Sequence, residues 1–163
     1  MPIDDLPKPE QYRSLTQQAQ ALLECERDRI ANAANLAALL FHSLPAVNWV
    51  GFYLFDGQEL VLGPFQGQPA CVRIELGKGV CGTAAATGRT QVVDHVDAFP
   101  GHIACDTASR SEVVVPLHGP DGSLIGVLDI DSPEPARFDD DDRRGIEALA
   151  CIYLQACAPI DRD

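Results

Sequence analysis

The first third of the chain carries apolar residues at helical spacing. They recur at intervals of three and four positions from Leu15 to Leu44, which predicts a long amphipathic helix, continuous or broken, over roughly residues 10–44. The pair Leu44-Pro45 should end this helix, because the residue before a proline avoids helical geometry.

The middle of the chain alternates short runs of β-branched and aromatic residues with turn residues. Strands are predicted over residues 47–55, 59–65, 70–76, 90–93, 112–117 and 123–131, and a short alanine-rich helix over 80–87. Residues 94–110 show little periodicity. A loop of that length in a compact domain is usually functional, and its mixture of apolar residues with histidines and a cysteine favours an ordered lid.

A further helix closes the chain. Asp139 is a favourable N-cap, and the three acidic residues at 140–142 suit the positive end of a helix dipole. The order of elements predicts an α+β fold, in which N- and C-terminal helices pack on one face of an antiparallel sheet. The other face is then left for a ligand site under the loops. No repeat or linker indicates a second domain, so residues 1–163 are expected to form one domain with a core at about 12–157.

Charge and hydropathy exclude several functions. The formal net charge is −12 at pH 7, which argues against nucleic acid and against an anionic membrane surface. No apolar run approaches the roughly 18–20 residues that cross a bilayer, and the first residues lack the apolar region of a signal peptide. We therefore expect a cytoplasmic protein. Its six cysteines include no CxxC pair and should rest as thiols in that compartment, with packing, metal binding or redox chemistry as their possible roles.

Several stretches, taken together and in order, resemble the free methionine-(R)-sulfoxide reductase family, whose members are GAF domains. The resemblance covers roughly residues 12–157 and is carried by NWVGFY at 48–53, GPFQG at 63–67 with Cys71, GKGVCGTA at 77–84, FPGHIACD at 99–106, SE at 111–112 and LDIDSP at 128–133. It implies a homodimeric GAF domain that reduces the R-sulfoxide of free methionine and is regenerated by thioredoxin. No cofactor and no metal ion are expected.

Thiol-based sulfoxide reduction needs at least two cysteines that meet in space. A thiolate attacks the sulfur and becomes a sulfenic acid, which a second cysteine converts to a disulfide. We assign Cys105 in the loop as the nucleophile and Cys71 as the main resolving residue. Cys81 is a second resolving residue or the nucleophile itself, since the start of a helix should lower its pKa. The remaining three are expected to be packing residues: Cys25, Cys151 and Cys157.

Two acidic residues near the end of the last strand form a candidate substrate site. Alternation places Asp129 and Asp131 on the same face as Ile125 and Val127, where the substrate ammonium group would offset their repulsion. Glu112 opens the preceding strand and could join them. Crowding and burial should raise a carboxyl pKa toward neutrality, so that one protonated member acts as general acid on the sulfoxide oxygen. The family resemblance supports these roles.

Aromatic and glycine residues complete the predicted site. Trp49 and Tyr53 are four apart on one strand, hence on one face, and could hold the S-methyl group of the substrate. Gly77 and Gly79 resemble an anion nest for the substrate carboxylate, although entry into a helix alone explains them.

A non-catalytic GAF sensor is the first alternative. Cyclic-nucleotide-binding GAF domains carry an Asn-Lys…Phe-x-x-x-Asp-Glu pattern. Phe138 and Asp142 match its second half, but Arg143 replaces the glutamate and no Asn-Lys precedes. An acidic pocket is also a poor phosphate site, and we expect no attached output domain.

A zinc protein is the second alternative. Its ligands would be Cys71, Cys81, Cys105 and His102, of which the last two are three residues apart. The spacing lacks the short CxxC knuckles of structural zinc sites.

Overall fold

The computed structural model describes residues 3–101 and 108–158. In this part of the chain four α-helices surround a six-stranded sheet. The helices are α1 (Lys8–Leu23), α2 (Arg29–Ser43), α3 (Gly79–Thr87) and α4 (Asp140–Cys157). The strands are β1 (Trp49–Phe55), β2 (Leu60–Gly67), β3 (Arg73–Ile74), β4 (Gln91–Val93), β5 (Ser111–His118) and β6 (Leu124–Ser132).

The sheet has the order β3-β2-β1-β6-β5-β4, and each neighbouring pair is antiparallel. The central strands β1, β6 and β5 therefore lie side by side, although the end of β1 at Phe55 and the start of β6 at Leu124 are far apart in the chain. This arrangement confirms the predicted α+β fold with an antiparallel sheet.

The strands separate two apolar layers, as their two-residue alternation requires. On one face, α2 and α4 contact the sheet and α1 packs on both of them. That layer contains Val50, Phe52, Leu128 and Ile130 from the sheet. The opposite face carries Trp49, Tyr53, Val114 and Val127 and is covered by α3. Helices on one face thus leave the other face for a site, as predicted.

The predicted N-terminal helix is broken into α1 and α2. The side chain of Asp28 caps α2 by accepting hydrogen bonds from the backbone amides of Ile30 and Ala31, both at 2.9 Å. Because of this break, Leu22 and Ile30 leave the apolar stripe and are 44% and 48% exposed.

The start of α4 is fixed by a buried ionic network. Asp139 forms the predicted N-cap, within a capping box completed by Asp142. The Asp142 carboxylate is buried and accepts hydrogen bonds from Lys8 Nζ at 2.6 Å, Tyr12 Oη at 2.7 Å and Arg137 at 3.1 Å. These bonds satisfy a buried charge and join the two ends of the chain.

Three local predictions need correction or fall outside the description. The strand predicted at 70–76 is reduced to two paired residues, Arg73 and Ile74. Ile125 packs on the helix side rather than beside Val127, because the β5–β6 register shifts there and leaves Ile125 unpaired. Of the predicted lid, residues 102–107 lie outside the described residues. No helix in the described ranges is long and apolar enough to cross a membrane.

Candidate active site

A cavity lies on the sheet face covered by α3. Its lining comes from the central strands, from the segment before β3, from the first turn of α3 and from the residues before β5. The lining residues are Trp49, Tyr53, Pro69, Ala70, Ile74, Lys78, Gly79, Val80, Cys81, Ser109, Glu112, Asp129 and Asp131. The structure therefore gathers six of the eight predicted site residues in one place.

Three carboxyl groups form one wall of this cavity. Asp129 and Asp131 point to the same face of β6, and the strand register places Glu112 of β5 directly opposite Asp131. All three residues are buried, with at most 8% of their surface exposed. Asp129 Oδ1 has no hydrogen-bond partner among the described residues, so this oxygen is available to a ligand.

Burial and mutual repulsion hold the carboxyl groups of Glu112 and Asp129 toward their neutral form. Burial raises the pKa of Glu112 well above its usual value, and the charge of Asp129 raises it further. Burial likewise raises the pKa of Asp129, with Asp131 as the next cause. The predicted direction of the shift is therefore found at both positions.

Cys81 differs from its prediction. It lies in the first turn of α3, but it is buried, and its pKa is raised well above the usual value by that burial and then by the charges of Asp129 and Glu112. Its Sγ lies 3.9 Å from Glu112 Oε1. The expected lowering by the helix start is therefore wrong, because desolvation and three facing carboxyl groups outweigh the helix amides.

Stacked aromatic rings lie beside these carboxyl groups on the same face of the sheet, and the strand register places Trp49 of β1 directly next to Asp131 of β6. The Trp49 ring stacks on Phe65, with centroids 5.3 Å apart, and lies 6.0 Å from the Tyr53 ring. Trp49 Nε1–H donates to the Gln68 carbonyl at 3.0 Å, and the Tyr53 hydroxyl donates to the Cys71 carbonyl at 2.9 Å. Each polar end is satisfied, so both rings are fixed with apolar surface toward the cavity.

The cysteines fall into distinct environments. Cys71 is disulfide-bonded, whereas Cys25, Cys81, Cys151 and Cys157 are free. The expectation that all six rest as thiols is therefore wrong at Cys71. The predicted nucleophile Cys105 lies outside the described residues.

Comparisons with known proteins identify the family of this chain. The GAF domain model matches residues 10–151. A relative from Escherichia coli, named free methionine-R-sulfoxide reductase, is 47% identical over 154 residues, covering 94% of this chain and 93% of its own. The chain belongs to the free methionine-R-sulfoxide reductase family.

Another relative and a solved structure are also similar to this chain. Protein YtsP of Bacillus subtilis is 57% identical over 154 residues, covering 93% of each chain. The structure of the Neisseria meningitidis free methionine-R-sulfoxide reductase in complex with its substrate has a TM-score of 0.89 and 49% identity, covering 93% of this chain and 91% of that one.

The described residues do not assemble the zinc ligand set or the cyclic-nucleotide pattern named for the two alternative functions. Cys71 carries a disulfide rather than the thiolate that zinc needs, and His102 and Cys105 lie outside the described residues. Among the described residues, one group of side chains could hold a metal ion. It consists of Cys81, Glu112 and Asp129, whose ligand atoms lie within 4.8 Å of one another. Asp142, part of the partial cyclic-nucleotide pattern, is used in the network at the start of α4.

Two features of the first turn of α3 and its surroundings refine the predicted site. The amide of Gly77 already donates to the carbonyl of Gly82, so only Gly79 remains of the two glycines in the predicted anion nest. Ser109 also lines the cavity, and sequence analysis did not identify it. A lone serine outside any strand carries no periodic signal that would have singled it out.

Proposed function

We propose that this chain reduces the R-sulfoxide of free methionine with its own thiols. The observation that carries the proposal is the buried cavity that brings the carboxyl groups of Glu112, Asp129 and Asp131 together with the fixed rings of Trp49 and Tyr53. Such a cavity suits a small molecule with a cationic group, a basic oxygen and an apolar methyl group. The names of the E. coli and Neisseria relatives support the same substrate.

The aromatic rings and the carboxyl groups of the cavity bind different groups of the substrate. The indole of Trp49 packs on the S-methyl group, because a fixed apolar face excludes water there. Glu112 is held neutral by its raised pKa and donates its proton to the sulfoxide oxygen. Asp129 and Asp131 hold the substrate ammonium, whose positive charge favours their ionised form on binding.

The chemistry then takes two thiols and releases one water. The Cys105 thiolate attacks the sulfoxide sulfur as the oxygen is protonated, and the oxygen is transferred to give methionine and a Cys105 sulfenic acid. The Cys71 thiol attacks that sulfenic acid, forms a disulfide and releases water. A dithiol protein of the thioredoxin type reduces the disulfide and becomes oxidised itself.

The states of the cysteines support this division of roles. Cys71 is disulfide-bonded beside the cavity, as an oxidised resolving residue would be. Cys81 is held as a neutral thiol by its raised pKa, which makes it a poor nucleophile near pH 7. We therefore assign Cys81 as an auxiliary resolving residue rather than the attacking one.

The test is NADPH oxidation coupled through thioredoxin reductase and thioredoxin. The purified protein is assayed with free methionine R-sulfoxide, the S form, and the R form blocked at both ends as in a peptide. Turnover confined to the free R form supports the proposal. The absence of turnover with fully reduced protein would favour the sensor alternative, and stoichiometric zinc in elemental analysis would favour the metal alternative.

The proposal also includes the compartment, the oligomeric state and the reductant of the enzyme. We propose a cytoplasmic homodimer in which residues 1–163 form one GAF domain, with thioredoxin as the reductant. The apolar side chains of Leu22 and Ile30, exposed on the helical layer, are suited to a subunit contact. Sedimentation equilibrium of the reduced protein gives the subunit number directly, and a monomer at all concentrations would overturn the dimer.

A further inference from the structure

Cys81, Glu112 and Asp129 bring a sulfur and two carboxylate oxygens together in the cavity. One ligand atom from each residue lies within 4.8 Å of the other two, and all three residues are buried. They come from three different elements, α3, β5 and β6. The group is therefore made by the tertiary fold, and no local sequence motif marks it.

The separations in this group are close to those of ligands that share one zinc ion. With Zn–S at about 2.3 Å and Zn–O at about 2.0–2.2 Å, tetrahedral angles place two ligand atoms about 3.3–3.7 Å apart. Cys81 Sγ and Glu112 Oε1 are 3.9 Å apart. Side-chain rotations that move each atom by about 1 Å or less would bring all three to one ion.

Asp129 supplies an oxygen that is ready to bind a cation. The residue is 5% exposed and lines the cavity, and its Oδ1 has no hydrogen-bond partner among the described residues. Buried polar atoms are nearly always satisfied, so this oxygen indicates a group that binds there. A divalent cation would satisfy it and would also offset the repulsion between the neighbouring carboxylates.

The types of ligand atom select the class of ion. A thiolate favours zinc-type ions over Mg²⁺ and Ca²⁺, which prefer oxygen ligands. Three protein ligands leave a fourth position for water, as in exchangeable rather than closed structural zinc sites. The ligands bind in their deprotonated forms, so the protons of Cys81 and of the neutral carboxyl groups pass to the solvent as the ion binds.

We propose that Cys81, Glu112 and Asp129 form an exchangeable site for a zinc-type divalent cation, and that the bound ion blocks the cavity. The ion takes the carboxyl groups of Glu112 and Asp129, which the proposed function assigns to the sulfoxide oxygen and the substrate ammonium. Cation and substrate therefore exclude each other. The site itself does not depend on the proposed function, whereas this competition rests on it. The ligand set also differs from that of the zinc-protein alternative, which requires Cys71 and Cys105.

Co²⁺ binding to the disulfide form of the protein tests the site without turnover. In this form Cys71 is not a thiol, so it cannot supply a thiolate ligand. The protein is stripped with a chelator, freed of the chelator by gel filtration and titrated with Co²⁺, whose bond to a thiolate absorbs in the near ultraviolet. We expect one Co²⁺ per chain with this absorption, and Zn²⁺ should displace it because zinc binds such ligands more tightly.

Matched variants assign the ligands. Cys81→Ser should lose the thiolate absorption, whereas Cys151→Ser, at an exposed free cysteine, should keep it. Asp129→Asn and Glu112→Gln preserve side-chain volume and should each weaken Co²⁺ binding at least about 100-fold, since loss of an outer partner of a ligand already costs about 10–100-fold. Asp121→Asn, in the exposed turn before β6, should leave the affinity unchanged. Circular dichroism of the metal-free variants verifies their fold.

The outcomes separate the cation site from the proposed function. Thiolate absorption that persists in Cys81→Ser, or unchanged affinity in both carboxyl variants, would overturn the site. Methionine R-sulfoxide should displace the bound Co²⁺, and glycine at equal concentration should not, although both chelate through the same amino and carboxylate groups. Equal effects of the two amino acids would leave the site standing and refute the competition with substrate. No turnover of the metal-free, reduced protein in the coupled assay would refute the proposed function and leave the cation site standing.

Discussion

Adding one methyl group at Gly51 should displace the indole ring of Trp49 and weaken both folding and substrate binding. A Cβ atom at Gly51 would lie 2.5 Å from Trp49 Cη2 and 2.5 Å from Phe65 Cβ, whereas ordinary contacts begin at 3.4 Å. One or both neighbours must therefore move by about 1 Å. Phe65 Cβ is attached to the backbone of β2, and the Trp49 ring is held by its bond to the Gln68 carbonyl.

The expected cost follows from this overlap. Overpacking of a well-packed core costs about 1–3 kcal/mol, and each kcal/mol lowers the melting temperature of a protein of this size by about 2–4 °C. Gly51→Ala should therefore melt roughly 2–12 °C lower. Because the ring moves against the substrate methyl group, kcat/KM for methionine sulfoxide should fall at least about tenfold, or about 1.4 kcal/mol.

The assay combines fluorescence, thermal unfolding and kinetics. Trp49 is the only tryptophan in the chain, so emission excited at its red edge reports on this ring alone. Gly63→Ala is the matched control, since its methyl group would approach Leu54 and the Phe52 carbonyl rather than Trp49. Unchanged emission and unchanged kcat/KM in Gly51→Ala would refute the reasoning, as would an equal loss of kcat/KM in the control.

The other predictions concern the thiols and the carboxyl groups. Cys105→Ser should abolish turnover in the coupled assay, and Cys25→Ser should leave it nearly intact. Residual activity in Cys105→Ser together with loss of activity in Cys81→Ser would instead assign Cys81 as the nucleophile. Asp131→Asn should slow turnover without unfolding the protein, as circular dichroism would verify, and a normal rate would remove it from the site. Folding raises the pKa of Glu112, so its contribution to stability is fully present below the unfolded pKa and is lost as pH rises through the folded pKa. Urea unfolding of the unliganded, reduced protein should therefore show Glu112→Gln more stable than the unmodified chain at pH 8 and not at pH 4, and equal differences at both would contradict the shift.

Much of the sheet could be predicted because its strands carry their own signals. The alternation in β6 placed Asp129 and Asp131 on one face, and the spacing in β1 did the same for Trp49 and Tyr53. The length of the strand at 70–76 was overestimated: only Arg73 and Ile74 pair with β2, and the Cys71 carbonyl accepts a hydrogen bond from the Tyr53 hydroxyl. No local sequence pattern predicts this hydrogen bond.

The position of Glu112 opposite Asp131 depended on information that the sequence does not show directly. Each strand predicts which of its own side chains share a face, but the pairing register of β5 with β6 decides which carboxyl groups meet. The register of β5 with β6 therefore brings the three acidic residues together in one cluster. Sequence analysis gave Glu112 only as a residue that could join Asp129 and Asp131, and the register decides that it does.

Cys81 shows why a site must be assembled before its chemistry is assigned. From the sequence, only the start of α3 acts on its thiol, and that influence lowers the pKa. In the fold, β5 and β6 bring Glu112, Asp129 and Asp131 to the same cavity and water is excluded, so the pKa rises instead. A cluster that keeps protons on carboxyl groups for acid catalysis also keeps them on any thiol within it. Cys81 is therefore a poor candidate for the attacking thiolate near pH 7.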